Sequence, residues 1–221
     1  MMRLKIAIII PCFNEEASIS EVISEINLLK NLTSYDVTPL IINDCSTDGT
    51  LEVIKNLECE YLNLSVNLGI GGAVQSGYKY ALLNNYDIAI QLDGDGQHPV
   101  DQISNLIEPI IRGSADVVIG SRFINKDGFQ SSTLRRAGIR YFKNLNKFLL
   151  NVTVLDSTSG YRAINRKALT MVCKYYPDTY PEPEAIVLYS LNKLKIEEIP
   201  VIMKERRAGQ SSISSANSLY Y

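Results

Sequence analysis

The stretch KIAIIIPCFNEEASISEVISEI at residues 5–26 sets the fold class, because it joins an apolar run to a helical pattern. The run at residues 5–10 is apolar after its first position, as in a strand that is covered on both faces of a sheet. Beyond a short loop, four apolar residues recur at the spacing of one helix face: Ile19, Val22, Ile23 and Ile26. A strand followed by a crossover helix is the unit from which parallel sheets are built.

The same alternation continues along the chain. Further strands are predicted at residues 40–42, 61–64, 87–92, 116–119 and 197–203. Further helices are predicted from residue 51, and at 73–83, 103–111, 135–150 and 184–194. This order predicts a single α/β domain with a mainly parallel, twisted sheet and helices on both faces.

The composition is that of a folded globular protein, with 221 residues, 46% of them hydrophobic and 21% charged. A net charge of −2 provides no basic field for nucleic acid. Four cysteines without a CxxC pair and a single histidine, His98, exclude a zinc site of ordinary spacing, and scattered thiols favour a reducing cytoplasm. A membrane span, which needs about 18 apolar residues, is not predicted. The end at SSANSLYY leaves open whether the natural chain continues into a membrane-seeking segment.

An acidic loop, Asp93-Gly94-Asp95-Gly96-Gln97, follows the predicted strand at 87–92. In open α/β sheets, ligands bind beyond the carboxyl ends of the strands. Two carboxylates one residue apart repel each other there unless a cation joins them. Oxygens of Asp93, Asp95 and Gln97 can converge on Mg²⁺ or Mn²⁺, and Gly94 lets the backbone approach a ligand. A solvated acidic turn is the alternative.

Loops after the first two strands carry candidate nucleoside contacts. Pro11 is expected to stop the first strand, Phe13 can lie against a flat base, and Glu15 can hydrogen-bond the base or ribose. Asp44 ends the second strand and faces the same crevice. The alternatives are local, since acidic residues favour a helix N-terminus, and for Asp48 a helix cap is the better interpretation.

Three further segments carry weaker signals. The glycine-rich loop at residues 67–72, with Gly71, is a candidate phosphate cradle, and tight helix packing is the alternative. The predicted helix over 135–147 has five basic residues and no acid, which suits an anionic membrane surface, a phosphate or a solvated face. Arg207 and Ser211 lie in a segment that can close over a diphosphate, or form a mobile basic tail.

Together these segments resemble family 2 glycosyltransferases of the GT-A fold. The resemblance is greatest to the polyprenol-phosphate mannosyl- and glucosyltransferase branch and its bacterial relatives, and it covers nearly the whole chain in order. It is carried by PCFNEE at 11–16, INDCSTDGT at 42–50, NLGIGGAVQSGYKYA at 67–81, LDGDGQHP at 92–99, DVVIGSRF at 116–123, DSTSGYRAINRKAL at 156–169, YPEPE at 180–184 and EIPVIMKERRAGQSSI at 198–213.

The resemblance implies a role for each matching residue. Nucleoside contacts are implied at Pro11, Phe13, Glu15 and Asp44, and metal and donor-phosphate contacts at Asp93, Gly94, Asp95 and Gln97. Arg207 and Ser211 or Ser212 would fold over the donor, and Arg122, Arg135 and Arg136 would handle phosphate or the acceptor. The catalytic base would be Glu184, or its neighbour Glu182. One departure is Asn43, which stands where the family usually has a first acid, so that Asp44 serves alone.

The activity implied is an inverting, metal-dependent transfer of a hexose from a nucleoside diphosphate sugar to a polyprenyl phosphate or a glycan hydroxyl. The setting implied is cell-surface polysaccharide or glycolipid synthesis, in the cytoplasm or at the inner face of the plasma membrane. Residues 1–100 would form a Rossmann-like donor half and residues 101–221 an acceptor half of the one domain. A sugar nucleotidyltransferase and a non-catalytic nucleotide-sugar-binding module are the alternatives.

Overall fold

A computed structural model describes residues 3–125, 147, 152–179 and 181–204. Within these ranges the chain forms a seven-stranded sheet with the order β3-β2-β1-β4-β6-β5-β7. The strands are β1 Lys5–Cys12, β2 Asp36–Asn43, β3 Glu60–Asn63, β4 Ile88–Gln91, β5 Val117–Ser121, β6 Arg162–Asn165 and β7 Ile196–Pro200.

Helices cover both faces of this sheet. They are α1 Ile19–Leu32, α2 Thr50–Ile54, α3 Gly69–Leu83, α4 Ile103–Ile111, α5 Arg166–Val172 and α6 Pro181–Leu191, with a 3₁₀ turn at Val100–Gln102 before α4. Helices α1, α2 and α4 pack into the core on one face, and α3, α5 and α6 pack into the core on the other. The predicted α/β fold with helices on both faces is therefore confirmed.

Strand β1 lies at the centre of the parallel half. It pairs in parallel with β2 on one side and β4 on the other, so Ile8 stands between Pro39 and Ile90. Every residue of β1 after Lys5 is buried, which explains the uninterrupted apolar run. Burying a side chain such as Ile8 contributes about 1.5–3 kcal/mol. Pro11 does not stop the strand as predicted, because it is buried within β1 and pairs with Ile42.

Strand β6 was missed by the sequence analysis. It runs antiparallel between β4 and β5, which makes the sheet mixed. Its four residues, RAIN, run directly into α5, so the pattern is too short to separate a strand from the helix. The insertion places Arg162 opposite Gln91 of β4, and so brings the loop before β6 to the carboxyl edge of the parallel strands.

Several predicted boundaries shift. Helix α6 begins at Pro181 and not at residue 184, so that Glu182 and Glu184 both lie in its first turn. Strand β7 covers Ile196–Pro200, and not residues 197–203. The predicted helix at 135–150 lies outside the described residues except for residue 147.

Among the described residues, no helix is long and apolar enough to cross a membrane. The division into a donor and an acceptor half at residue 100 stays a prediction.

Candidate active site

The acidic loop follows β4 at the carboxyl edge of the parallel strands. Gly96 has a φ of +75°, in the left-handed region that favours glycine. Asp95 is 3% exposed, and one of its carboxylate oxygens accepts the Gln97 N–H at 3.0 Å. The side chain of Asp93 is 39% exposed and therefore accessible to a ligand. The loop thus presents one accessible carboxylate, Asp93, and one buried carboxylate, Asp95.

His98 orients this loop. Its ring is 5% exposed and stacks on Tyr161 with the ring centroids 5.0 Å apart. The His98 Nδ1 accepts the backbone N–H of Asp93 at 2.9 Å, and Nε2 lies 3.5 Å from Asp93 Oδ2. A neutral imidazole with its proton on Nε2 satisfies both contacts. His98 therefore fixes the position of the Asp93 carboxylate, a contact that the sequence analysis did not anticipate.

Two glycines allow neighbouring segments to close around the acidic loop. A Cβ at Gly94 would lie 2.9 Å from Cys12 Sγ, at the end of β1. A Cβ at Gly160 would lie 3.0 Å from Gln91 Nε2 and 3.2 Å from Asp93 Oδ1. The end of β1, the loop after β4 and the loop before β6 therefore meet at Asp93 and Gly94.

The loops after β1 and β2 are joined by hydrogen bonds. The Asn14 side-chain oxygen accepts the Thr47 N–H at 2.8 Å, and the Asn14 N–H donates to Ser46 Oγ at 3.0 Å. The Glu16 carboxylate accepts the Gly49 N–H at 2.7 Å. Asn14 has a φ of +58°, a conformation that asparagine tolerates better than most residues. The two loops that carry the predicted nucleoside contacts therefore form one unit.

The predicted nucleoside residues differ in exposure and partners. Phe13 is 48% exposed, so its ring is available to a flat ligand. The Glu15 carboxylate accepts a hydrogen bond from the Ser18 hydroxyl at 2.8 Å, and Ser18 directly precedes α1. Asp44 is buried and accepts the Leu68 N–H at 2.7 Å, next to the first residue of α3. Burial raises the pKa of Asp44, and backbone hydrogen bonds oppose the rise.

Three residues make contacts that stabilise the fold. Asp48 accepts the Thr50 N–H at 3.0 Å, so it makes a local contact at the start of α2, although the N-cap residue is Gly49. A Cβ at Gly71 would lie 2.1 Å from the carbonyl oxygen of Pro177, so this glycine allows tight packing, as in the alternative to a phosphate cradle. The Gln97 side-chain nitrogen lies 3.5 Å from the Lys204 carbonyl, and the Lys204 N–H donates to the Gln97 carbonyl at 2.9 Å. Gln97 therefore links the acidic loop to the segment after β7.

Arg122 lies at the end of β5 in a buried ion pair with Asp156. Its Nε and Nη2 donate to the two Asp156 carboxylate oxygens, each at 2.7 Å, and Nη2 also lies 3.1 Å from Thr158 Oγ1. Glu198 accepts the Asp156 N–H at 2.9 Å and so holds the loop in place. Arg122 also interacts with the Asp93 carboxylate, which brings a positive charge to the acidic loop.

The two candidate bases in α6 occupy different environments. Glu184 is exposed. Glu182 is partly buried, and its Oε1 accepts a hydrogen bond from Gln91 Nε2 at 3.4 Å. Burial raises the pKa of Glu182, attraction from Arg162 opposes the rise, and repulsion from Asp93 adds to it. The structure therefore joins Glu182 electrostatically to the acidic loop, whereas Glu184 is exposed.

The donor set of the acidic loop fits a cation that arrives with phosphate. Among the described residues, no group of three or more His, Cys, Asp or Glu side chains is arranged to hold a metal. Mg²⁺ commonly uses one or two carboxylates and completes its shell with phosphate oxygens and water. Asp93 and Asp95 supply such a partial set, and the partly exposed side chain of Asp93 gives phosphate access.

Five predicted donor or acceptor residues lie outside the described residues: Arg135, Arg136, Arg207, Ser211 and Ser212.

Comparison with known proteins decides the family. The family model described as "Glycosyl transferase family 2" matches residues 7–171. The chain belongs to glycosyl transferase family 2. This range contains the acidic loop, the loops after β1 and β2, and the loop before β6. As a member of this family, the chain is a glycosyltransferase.

Relatives and solved structures agree with this family. A UDP-N-acetylglucosamine–dolichyl-phosphate N-acetylglucosaminyltransferase from Methanococcus voltae is 34% identical, over 89% of this chain and 84% of that protein. A polyprenol monophosphomannose synthase from Mycolicibacterium smegmatis is 26% identical, over 95% of this chain and 81% of that protein. Glucosyl-3-phosphoglycerate synthase from Mycobacterium tuberculosis, crystallised with Mn²⁺, UDP and phosphoglyceric acid, superposes with a TM-score of 0.72 at 20% identity, covering 98% of this chain and 75% of that one. The last comparison shows the shared GT-A fold.

Three residues at the site of this family 2 member were not identified from sequence as parts of it: His98, Asp156 and Arg162. The segment DSTSGYR at 156–162 was noted only as part of the family resemblance. Its residues acquire contacts because β6 inserts beside β4, and a four-residue strand has too short a pattern to predict that pairing.

Proposed function

We propose that this glycosyltransferase moves a sugar, with inversion, from a nucleoside diphosphate donor to a polyprenyl phosphate, using Mg²⁺ or Mn²⁺. The observation that carries the proposal is the acidic loop at the carboxyl edge of the sheet, where Gly94, between Asp93 and Asp95, lies against Cys12 and Glu15. The names of the Methanococcus voltae and Mycolicibacterium smegmatis relatives support a lipid phosphate as the acceptor.

Asp93 and Asp95 would hold the cation. When bound, it supplies positive charge that stabilises the departing diphosphate. His98 orients Asp93 through two contacts to the same residue, so that the accessible carboxylate is preorganised. The Gln97 amide oxygen is proposed as a further ligand, held near the loop by the link to Lys204.

The donor would lie along the carboxyl edge of the parallel strands. Phe13 is proposed to stack on the base, because its ring is exposed. Pro11, Glu15 and Asp44 would shape the nucleoside pocket, and Gly94 would allow the close approach of the diphosphate. Gly71 contributes through packing of α3. Arg207 and Ser211 are proposed to cover the donor.

The acceptor side would use charge to position an anionic nucleophile. Arg122 is held by Asp156 in a fixed orientation and interacts with the acidic loop, so it is suited to attract a phosphate. A phosphate nucleophile is already ionised and needs no strong base. A glycan hydroxyl would need one, and Glu182 is better placed for this than Glu184. A lipid acceptor implies that the chain works at the cytoplasmic face of a membrane, with the basic segment 135–147 as the proposed contact.

The proposal is tested with purified protein and a panel of UDP-, GDP- and dTDP-sugars, with and without Mn²⁺. Thermal shift reports donor binding, and release of nucleoside diphosphate in the presence of polyprenyl phosphate reports transfer. The variants Asp95→Ala and Asp95→Asn are compared with Asp101→Asn, which changes an exposed carboxylate in the 3₁₀ turn. We expect both Asp95 variants to lose at least about 100-fold in metal-dependent turnover while Asp101→Asn stays near the wild-type rate. Wild-type turnover by Asp95→Ala would refute the metal assignment.

A further inference from the structure

Arg162 is a fully buried permanent cation below the acidic loop. Its Nε and Nη2 donate to the backbone carbonyls of Ser159 and Ser157, at 2.7 and 3.0 Å. The third nitrogen, Nη1, has no hydrogen-bond acceptor among the described residues. The two carbonyls fix the plane of the guanidinium but bring no full negative charge. A buried cation without a counter-charge is strongly destabilising, so a negatively charged group is expected near Arg162.

Three tyrosines surround this guanidinium. Tyr78, Tyr176 and Tyr189 are at most 3% exposed, and each interacts electrostatically with Arg162. The rings of Tyr78 and Tyr176 pack edge to face, with centroids 5.4 Å apart. This shell excludes water and lowers the local dielectric constant, so a nearby opposite charge interacts strongly with Arg162.

Glu182 is the acidic side chain that supplies opposite charge near Arg162, and among the described residues it acts at a distance and not through a direct ion pair. Attraction between Arg162 and Glu182 affects the titration of both groups. Glu182 is partly exposed whereas Arg162 is fully buried, so the pair reaches from the core towards the surface. Gln91 is the cross-strand partner of Arg162, which puts their side chains on the same face of the sheet. Gln91 Nε2 donates to Glu182, and Asp93 follows Gln91 by two residues.

We propose that Arg162 is a positioning residue that holds the Glu182 carboxylate beside Gln91, where Glu182 accepts a hydrogen bond from a hydroxyl of the transferring sugar. The inference rests on the proposed function. An unpaired carboxylate at this place would repel an anionic phosphate nucleophile. The Arg162–Glu182 pair presents a hydrogen-bond acceptor with little net charge, which is compatible with a lipid phosphate acceptor.

The first test measures thermal unfolding of the full chain without ligand, for Arg162→Met, Glu182→Gln and the double variant. Arg162→Met should lower Tm by roughly 10 °C, because it leaves Glu182 half-buried without its cation. The double variant should be more stable than the sum of the two single changes predicts. Arg166→Met is the control, since Arg166 is exposed on the adjacent α5 and should change Tm by no more than about 3 °C. Additive effects of the two single changes would overturn the pairing.

The second test separates positioning from a purely structural role. Arg162→Met and Glu182→Gln should each lower kcat about 10–100-fold per folded molecule, with the KM for the donor within about threefold, and the double variant should lose no more than the worse single variant. Arg162→Lys keeps the positive charge, so it should recover part of kcat. If Arg162→Met does not fold, Arg162→Lys replaces it in the comparison of single and double variants. Unchanged kcat per folded molecule in Arg162→Met or Glu182→Gln would overturn the positioning role.

The two tests also separate this inference from the proposed function. If the wild-type chain transfers sugar from none of the donors, the proposed function fails, and the sugar contact of Glu182 fails with it. The unfolding cycle still decides whether Arg162 and Glu182 act as a pair. If the wild-type chain is active but the two changes are additive in both tests, the inference alone fails.

Discussion

The buried ion pair between Arg122 and Asp156 allows a quantitative prediction of stability. Asp156 is fully buried, and its carboxylate accepts three N–H groups of Arg122: the backbone N–H at 3.1 Å, and Nε and Nη2 at 2.7 Å each. Asp156→Ala removes all three bonds and leaves a guanidinium side chain that is only 10% exposed. Breaking a buried pair costs about 3–5 kcal/mol, and about 2–4 °C of Tm accompanies each kcal/mol in a chain of this size. We therefore expect Tm to fall by roughly 6–20 °C.

The assay is thermal unfolding followed by circular dichroism, with urea unfolding at one temperature as a second measure. Glu52→Ala is the matched control, because Glu52 pairs with Lys55 at 2.8 Å but their side chains are 75% and 46% exposed. An exposed pair contributes about 0–1 kcal/mol, so the control should lower Tm by less than about 4 °C. If Asp156→Ala lowers Tm no more than Glu52→Ala, the reasoning about this ion pair is wrong.

Two further predictions concern the donor loops. Burial raises the pKa of the Asp44 carboxyl group above 3.8, so the folded state binds a proton at Asp44 more tightly than the unfolded chain does. The contribution of Asp44 to the free energy of unfolding therefore falls as pH rises through the raised pKa. Asp44→Asn keeps an oxygen that can accept the Leu68 N–H but does not titrate, so Tm measured between about pH 3 and pH 7 should lack this decline. A decline in Tm equal to that of the wild type would contradict this assignment to Asp44. Asn14→Gly keeps the left-handed backbone but loses the bond to Thr47, whereas Asn14→Ala loses both. Calorimetric titration with nucleotide should therefore show weaker binding for Asn14→Gly and the weakest for Asn14→Ala, and wild-type affinity of Asn14→Ala would rule out a role for the joined loops.

Prediction from sequence succeeded where the signal is local. The apolar run in β1 and the helix pattern at Ile19–Ile26 report burial directly, because side-chain direction repeats with a fixed period in strands and helices. The acidic loop was found because two carboxylates one residue apart follow a predicted strand, where they repel each other unless a cation joins them. The contact of Asp48 at the start of α2 is also local, since its partner is Thr50.

Prediction failed where contacts join distant parts of the chain. Arg122 and Asp156 are 34 residues apart, and Gln91 and Glu182 are 91 apart. The choice between Glu182 and Glu184 was open in the sequence, because both lie in the first turn of one helix. The structure gives the two residues different environments, since Glu182 is partly buried against Gln91 and Glu184 is exposed, and the choice of base stays a prediction.

The sequence by itself determined the parallel α/β half, the family and the two carboxylates proposed to hold the cation, since each is encoded within a short segment. The tertiary structure alone decided the environment of those carboxylates: His98 beneath Asp93, the Arg122–Asp156 pair beside it, and Arg162 behind Glu182. The physical reason is that charge balance and burial depend on which strands become neighbours, and the insertion of β6 between β4 and β5 is a long-range pairing with no local signature.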